Sequence, residues 1–94
     1  MAHRIAWARR AVQDLEAIGG YIAQDSPAYA NTVVRSVVNQ TKTLANFPHA
    51  GRKVPEFDDE DIREVFAYSY RIIYRLQQNE VLIAAVIHGR RILQ

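Results

Sequence analysis

The sequence predicts an α+β domain: an N-terminal strand, then an antiparallel helical hairpin packed on a small antiparallel sheet. Three observations carry this reading. Apolar residues recur at helical spacing through two stretches of the first half, alternation and then an apolar run occupy the last quarter, and Gly, Pro and an Asp-Ser-Pro triplet mark the boundaries. With 94 residues, the chain is expected to be one domain covering 1–94, close to the lower size at which a chain folds alone.

His3 to Trp7 reads as a short edge strand. From Ala8 to about Gln24, Val12, Leu15, Ile18 and Ile22 form an apolar stripe, with Arg9, Arg10, Asp14 and Glu16 on the wet side. Gly19-Gly20 weakens this helix and leaves room for another element to approach. Asp25-Ser26-Pro27 separates it from the next helix, with Ser26 as N-cap and Pro27 at the first helical position, where a missing N–H costs nothing. The second stripe runs through Ala30, Val33 and Val34, Val37 and Val38, Thr41, Leu44 and Ala45, and Phe47-Pro48 ends the helix near Asn46. So short a connection makes the two helices antiparallel.

A loop with two prolines and a glycine follows, then an acidic stretch with five carboxylates between Glu56 and Asp61. Ile62 to Tyr68, Tyr70 to Leu76 and Val81 to His88 read as a three-stranded meander, with Gln77 to Glu80 as its last turn. In the middle strand Tyr70, Ile72, Tyr74 and Leu76 face one way, and Arg71, Ile73 and Arg75 the other. Val81 to Ile87 is apolar on both sides, as a central strand is. Two helices cover one face of such a sheet. The other is expected to lie open, carrying Arg71 and Arg75 beside Ile73, Leu82, Ala84 and Val86.

Composition narrows the function classes. The absence of cysteine removes disulfides and thiolate metal sites and fits a cytoplasmic protein. No apolar run approaches the roughly 20 residues of a membrane span, and the charges scattered through Met1 to Arg10 do not make a signal peptide. No phosphate-binding glycine loop, HExxH or serine elbow occurs, and His3, His49 and His88 are far apart, so neither a metal nor a cofactor is expected. Net charge is only +2, but ten of the twelve cations are Arg, the residue suited to phosphate and carboxylate forks.

Their placement defines the candidate site. Arg71 and Arg75 form either a cationic binding strip or a solvated strand face, and Arg63, Arg90 and Arg91 are placed to join them. His88-Gly89-Arg90-Arg91 ends the last strand, where a histidine can serve as general acid or base with arginines stabilising a phosphorane, or can simply bond backbone. Arg52-Lys53 is a basic pair in the loop. The acidic run is either a solvated loop or a shield over the basic site.

The order and spacing of many residues resemble the RelE/ParE superfamily of type II toxins over nearly the whole chain. They are Trp7, Ala11, Asp14-Leu15, Ile18 and Tyr21-Ile22; Asp25-Ser26-Pro27 with Ala30; and Leu44, Phe47-Pro48, Gly51-Arg52 and Val54-Pro55-Glu56. Ile62-Arg63-Glu64, Tyr70-Arg71-Ile72, Tyr74, Val86 and His88-Gly89-Arg90-Arg91 complete the set.

The resemblance implies a cytoplasmic toxin, of the kind tied to plasmid stabilisation and growth inhibition, neutralised by a cognate antitoxin. Contact with operator DNA would come only through that antitoxin. It implies one of two targets. A ParE-like toxin inhibits DNA gyrase. A RelE-like toxin is a metal-independent, ribosome-dependent mRNA endoribonuclease, and Arg71, His88 and Arg90 would then be its catalytic residues. In either case Arg52, Lys53, Arg63, Arg71, Arg75, His88, Arg90 and Arg91 form the target-binding or antitoxin-binding surface. The Gly-Arg…Val-Pro-Glu loop and the Ile-Arg-Glu strand are closer to the ParE-like branch, which is placed first. A regulator that only binds its antitoxin is the third reading.

Overall fold

The computed structural model describes residues 2–92. Strand β1 (Arg4–Trp7) leads into α1 (Arg9–Ala23) and α2 (Pro27–Thr43), followed by β2 (Arg52–Lys53), β3 (Ile62–Ala67), β4 (Tyr70–Gln77) and β5 (Glu80–His88). The break between the helices has the expected cause. The Ser26 hydroxyl accepts a hydrogen bond from the Tyr29 N–H at 3.1 Å, and Pro27 opens α2. The predicted helix and meander boundaries hold to within a few residues.

Sheet order is β1-β5-β4-β3-β2. The meander β3–β4–β5 is antiparallel as expected, but β1 runs parallel to β5, with Arg4 opposite Glu80 and Trp7 opposite Ile83, so the sheet is mixed. A hairpin turn fixes the direction of its two strands. Nothing local fixes β1, which the helical hairpin separates from its partner. The short β2, paired with β3 through Arg52 and Glu64, also lies in what read as plain loop.

The helices pack on one sheet face. Ala11, Val37, Leu44, Ile72, Tyr74, Val81, Ile83 and Val86 form that core, with Trp7, Leu15 and Ile18 at its margin. The second face is not open. Segment 54–61 folds across it, and Val54, Ile73, Ala85 and Ile87 form a smaller apolar cluster with Ile62. Val86 therefore sits on the helix side rather than beside Arg71. The reason is a bulge: Ile73 pairs with Ala85 but Tyr74 with Ile83, so Ala84 is an extra residue that reverses the alternation of β5. Beyond the end of β1, where β5 has no strand neighbour on that side, Asp14 of α1 accepts the Val86 N–H at 2.9 Å.

Tyr74 ties the helix-to-sheet connection to this core. Its buried hydroxyl donates to the Pro48 carbonyl at 2.8 Å and accepts the Gly51 N–H at 3.0 Å, and burial raises its pKa above the usual phenolic value. A Cβ on Gly51 would lie 2.5 Å from the Glu64 carbonyl oxygen and 2.6 Å from the Tyr74 hydroxyl. Gly51→Ala is accordingly expected to lose about 1–3 kcal/mol through overpacking, and Tyr74→Phe about 1–3 kcal/mol by leaving the buried Gly51 N–H and the partly buried Pro48 carbonyl without this partner. Urea unfolding of the purified chain measures both.

Candidate functional site

Arg71 is the centre of the predicted cationic strip, and the structure places it inside the protein. It is 4% exposed, and Glu64, one of its partners, is 1% exposed. The Arg71 Nε donates to Glu64 at 2.6 Å. Its Nη1 and Nη2 reach the two Glu56 oxygens at 2.8 and 2.9 Å, and Nη1 also donates to the Arg91 carbonyl at 2.8 Å. The hydrogen-bonded Glu56 carboxylate first, and Glu64 after it, hold the guanidinium more firmly charged than usual against the opposing effect of burial. The other Glu64 oxygen accepts from Arg52 Nε at 2.6 Å. One buried carboxylate thus bridges two arginines.

This pairing follows from sheet register. The two-residue connection Tyr68-Ser69 sets Phe66 opposite Arg71 and Glu64 opposite Ile73, so Glu64 and Arg71 are diagonal neighbours on one face. The predicted meander set these two strands side by side but ran the first through Tyr68 and fixed no register between them. The arrival of Glu56 from the acidic run depends on the path of 54–61 across the sheet, and no spacing rule encodes it. Of the two readings of that run, the shield describes Glu56, and the solvated loop describes its exposed carboxylates. Among these, Asp58 pairs with Lys53 at 2.7 Å, which holds the Asp58 carboxyl below its usual range.

The remaining candidates disperse. Arg63 donates to the Gly51 carbonyl at 2.9 Å and to Glu60, fastening the loop. Arg52 also lies 5.4 Å from the ring centre of Phe66. Arg75 shares the Arg71 face but is exposed, with no carboxylate partner among the described residues. His88 is exposed, with its ring edge-on to Tyr70 and its Nδ1 accepting the Arg90 N–H at 3.2 Å. His88, Gly89 and Arg90 line a hollow of about 510 Å³ with Phe66, Tyr68 and Ser69. The structure therefore brings His88 and Arg90 together and leaves Arg71 out, its guanidinium fully engaged elsewhere.

Two further surfaces carry no sequence motif. One is an apolar groove of about 460 Å³ between α1 and α2, lined by Trp7, Val12, Leu15, Gly19, Val34 and Val38. A Cβ on Gly19 would come within 3.2 Å of Val34, whereas one on Gly20, also in the groove wall, meets nothing within 4 Å. Val12 is 42% exposed there. The glycine pair and an apolar stripe wider than one contact were the available signals. The other surface is a polar hollow of about 340 Å³ on the far flank of α2, lined by Thr32, Arg35, Ser36, Asn39 and Tyr68 among others. Among the described residues no group of His, Asp and Glu is placed to hold a metal ion, and no helix is long and apolar enough to cross a membrane.

Because Arg71 is buried between carboxylates, Arg71→Ala is expected to cost about 3–5 kcal/mol of stability, as removal of one member of a buried pair does. Arg75→Ala, on the same face but solvated, is expected to stay within about 0.5 kcal/mol of the parent. Denaturation midpoints of the two variants provide the comparison.

Comparison with known proteins agrees with this geometry. The family model for the ParE toxin of type II toxin-antitoxin system, parDE, matches residues 5–93. A Sinorhizobium fredii (strain NBRC 101917 / NGR234) protein, "Putative toxin Y4kP", is 31% identical over 90 residues, covering 94% of this chain and 90% of that protein. The chromosomal ParDE system from P. aeruginosa superposes with TM-score 0.76 at 23% identity, covering 93% of this chain and 96% of that one. The Mycobacterium tuberculosis toxin-antitoxin complex RelBE2 superposes with TM-score 0.68 at 18% identity, covering 94% and 99%. The isolated E. coli RelE toxin follows with 0.69 at 16%, covering 97% and 88%. Two helices on a five-stranded mixed sheet is the fold shared with these toxins, and the family match extends over nearly all of the sequence. The chain belongs to the ParE toxin family of type II toxin–antitoxin systems.

Proposed function

We propose that this toxin arrests growth by binding and inhibiting DNA gyrase, and that a cognate antitoxin neutralises it by laying an apolar helix face into the α1–α2 groove. The observation that carries the first part is the engagement of Arg71. A ribonuclease that relied on this arginine would need its guanidinium free to meet a phosphate as charge develops there. Here every one of its nitrogens is held by Glu56, Glu64 or the Arg91 carbonyl. A binding mode of action needs no such free group. For the second part, the groove is apolar except for Glu16 and a backbone of small residues. It suits a segment anchored at i, i+3 or i+4, and i+7.

One observation favours the endoribonuclease reading instead: His88 and Arg90 share a solvent-open hollow with the Ser69 and Tyr68 side. The two mechanisms separate in cells that express the protein without antitoxin. Gyrase-linked DNA breaks with unchanged mRNA 5′ ends are expected, and a double variant, His88→Ala with Arg90→Ala at matched protein levels, is expected to lower arrest only as far as its gyrase binding falls. New in-frame mRNA ends that vanish in the double variant, with intact DNA, would replace the gyrase reading by the ribonuclease one.

The groove is tested apart from the target. Val12→Glu puts a charge on an exposed wall position, so folding is expected to persist within about 0.5 kcal/mol. The same variant is expected to lose rescue by co-expressed antitoxin while still arresting growth. Rescue undiminished by the glutamate would remove the groove from the antitoxin interface.

A further inference from the structure

We infer that the surface centred on Tyr68 is where the toxin holds its target, and that it fits an acidic protein surface. This inference rests on the reading of the chain as a toxin that acts by binding. Tyr68 occupies the two-residue connection between β3 and β4 with φ of 53°, a left-handed conformation that suits Gly or Asn and strains a bulky side chain. Tyr68 is nevertheless 54% exposed. It meets the ring of Tyr29 edge-on at 5.9 Å, which fixes its direction. A tyrosine kept at a strained turn, oriented and wet, has the form of a binding anchor.

Its surroundings specify the partner. Tyr68 is the wall shared by two hollows: the polar one on α2 and the one that ends at His88 and Arg90. Among the described residues no carboxylate lines either. Arg35 on one side and Arg90 on the other have no acidic partner among the described residues, whereas Arg4, Arg10, Arg52, Lys53, Arg63 and Arg71 are all ion-paired. Around the anchor the hollows offer hydroxyls and amides from Thr32, Ser36, Asn39 and Ser69. An aromatic centre with an arginine on each side and a neutral polar rim is the composition of a protein–protein hot spot, complementary to carboxylates. The two arginines that line these hollows are few for a phosphate track, whose affinity grows with each neutralised charge.

The surface is also independent of the α1–α2 groove. Val34 and Val38 point to the groove from one flank of α2, and Thr32, Ser36, Asn39 and Thr43 lie on the opposite flank. Loss of one is therefore separable from loss of the other.

Tyr68→Gly is the decisive variant, because it removes the ring while relieving the backbone. Its melting temperature is expected to equal or exceed the parent's, and its affinity for the antitoxin to be unchanged. Its binding to purified DNA gyrase is expected to fall about 30-fold or more, with loss of growth arrest. Arg35→Glu and Arg90→Glu are expected to weaken the same binding further than the alanine variants do, most at low salt. Full gyrase binding and full arrest by Tyr68→Gly would overturn the proposal and leave the gyrase reading standing. Failure of the parent toxin to bind gyrase, with Tyr68-dependent binding to a single-stranded RNA oligonucleotide, would overturn both.

Discussion

The buried Arg71 guanidinium, held between Glu64 from the neighbouring strand and Glu56 from the loop that crosses the sheet, is the constraint on which the rest of this small protein depends. A charge taken out of water is costly unless it is both paired and hydrogen-bonded. Arg71 satisfies that condition only when segment 54–61 lies against the second sheet face and brings Glu56 with it. The same closure buries Val54 against Ile73, Ala85 and Ile87, and it lets Glu64 accept Arg52 with its second oxygen. Arg63 and Gly51 adjoin the network: one fastens the loop through the Gly51 carbonyl, and the other gives the Glu64 backbone and the Tyr74 hydroxyl the space they occupy. A sheet that would otherwise expose one face is thereby sandwiched, with helices on one side and a single strap on the other.

That arrangement decides what the surface can offer. With the strap in place, Arg71 of the central strand and Arg52 and Arg63 beside the loop are spent on internal ion pairs, whereas Arg75 stays solvated. Free cationic groups remain at the hairpin end, near Tyr68, and on the polar flank of α2. An apolar groove lies on the other flank, where Gly19 lets Val34 come close and Gly20 leaves a gap. One helix therefore carries two unlike surfaces on opposite sides. On the proposed reading, the antitoxin and the target meet the toxin at separate places, and neutralisation need not work by occupying the target's own contact residues.

Much of the architecture was legible because it is written in local chemistry. Ser26-Pro27 stops and restarts a helix by hydrogen bonding and by a fixed φ, and the alternation in Tyr70 to Leu76 assigns faces correctly for all of β4. The candidate site was legible in part. His88 and Arg90 do share a hollow, but Arg71 and Arg75 share only a sheet face, since one is sealed by carboxylates and the other is solvated. Glu64 could have been paired with Arg71 from the hairpin register. Tyr68 could not have been singled out, because its importance lies in a backbone angle and in the neighbours of its ring.

What the sequence by itself determined is the set of elements, their order, the apolar stripes of the helices and the two faces of β4, all of which are written in residues close along the chain. Tertiary structure decided the parallel pairing of β1 with β5, the bulge at Ala84 that turns Val86 inward, and the strap that closes the second face. It also decided which arginines are structural and which remain free. Each of these joins residues far apart in sequence or shifts a register by one position. Burial and charge pairing choose among such alternatives only after the chain has folded back on itself.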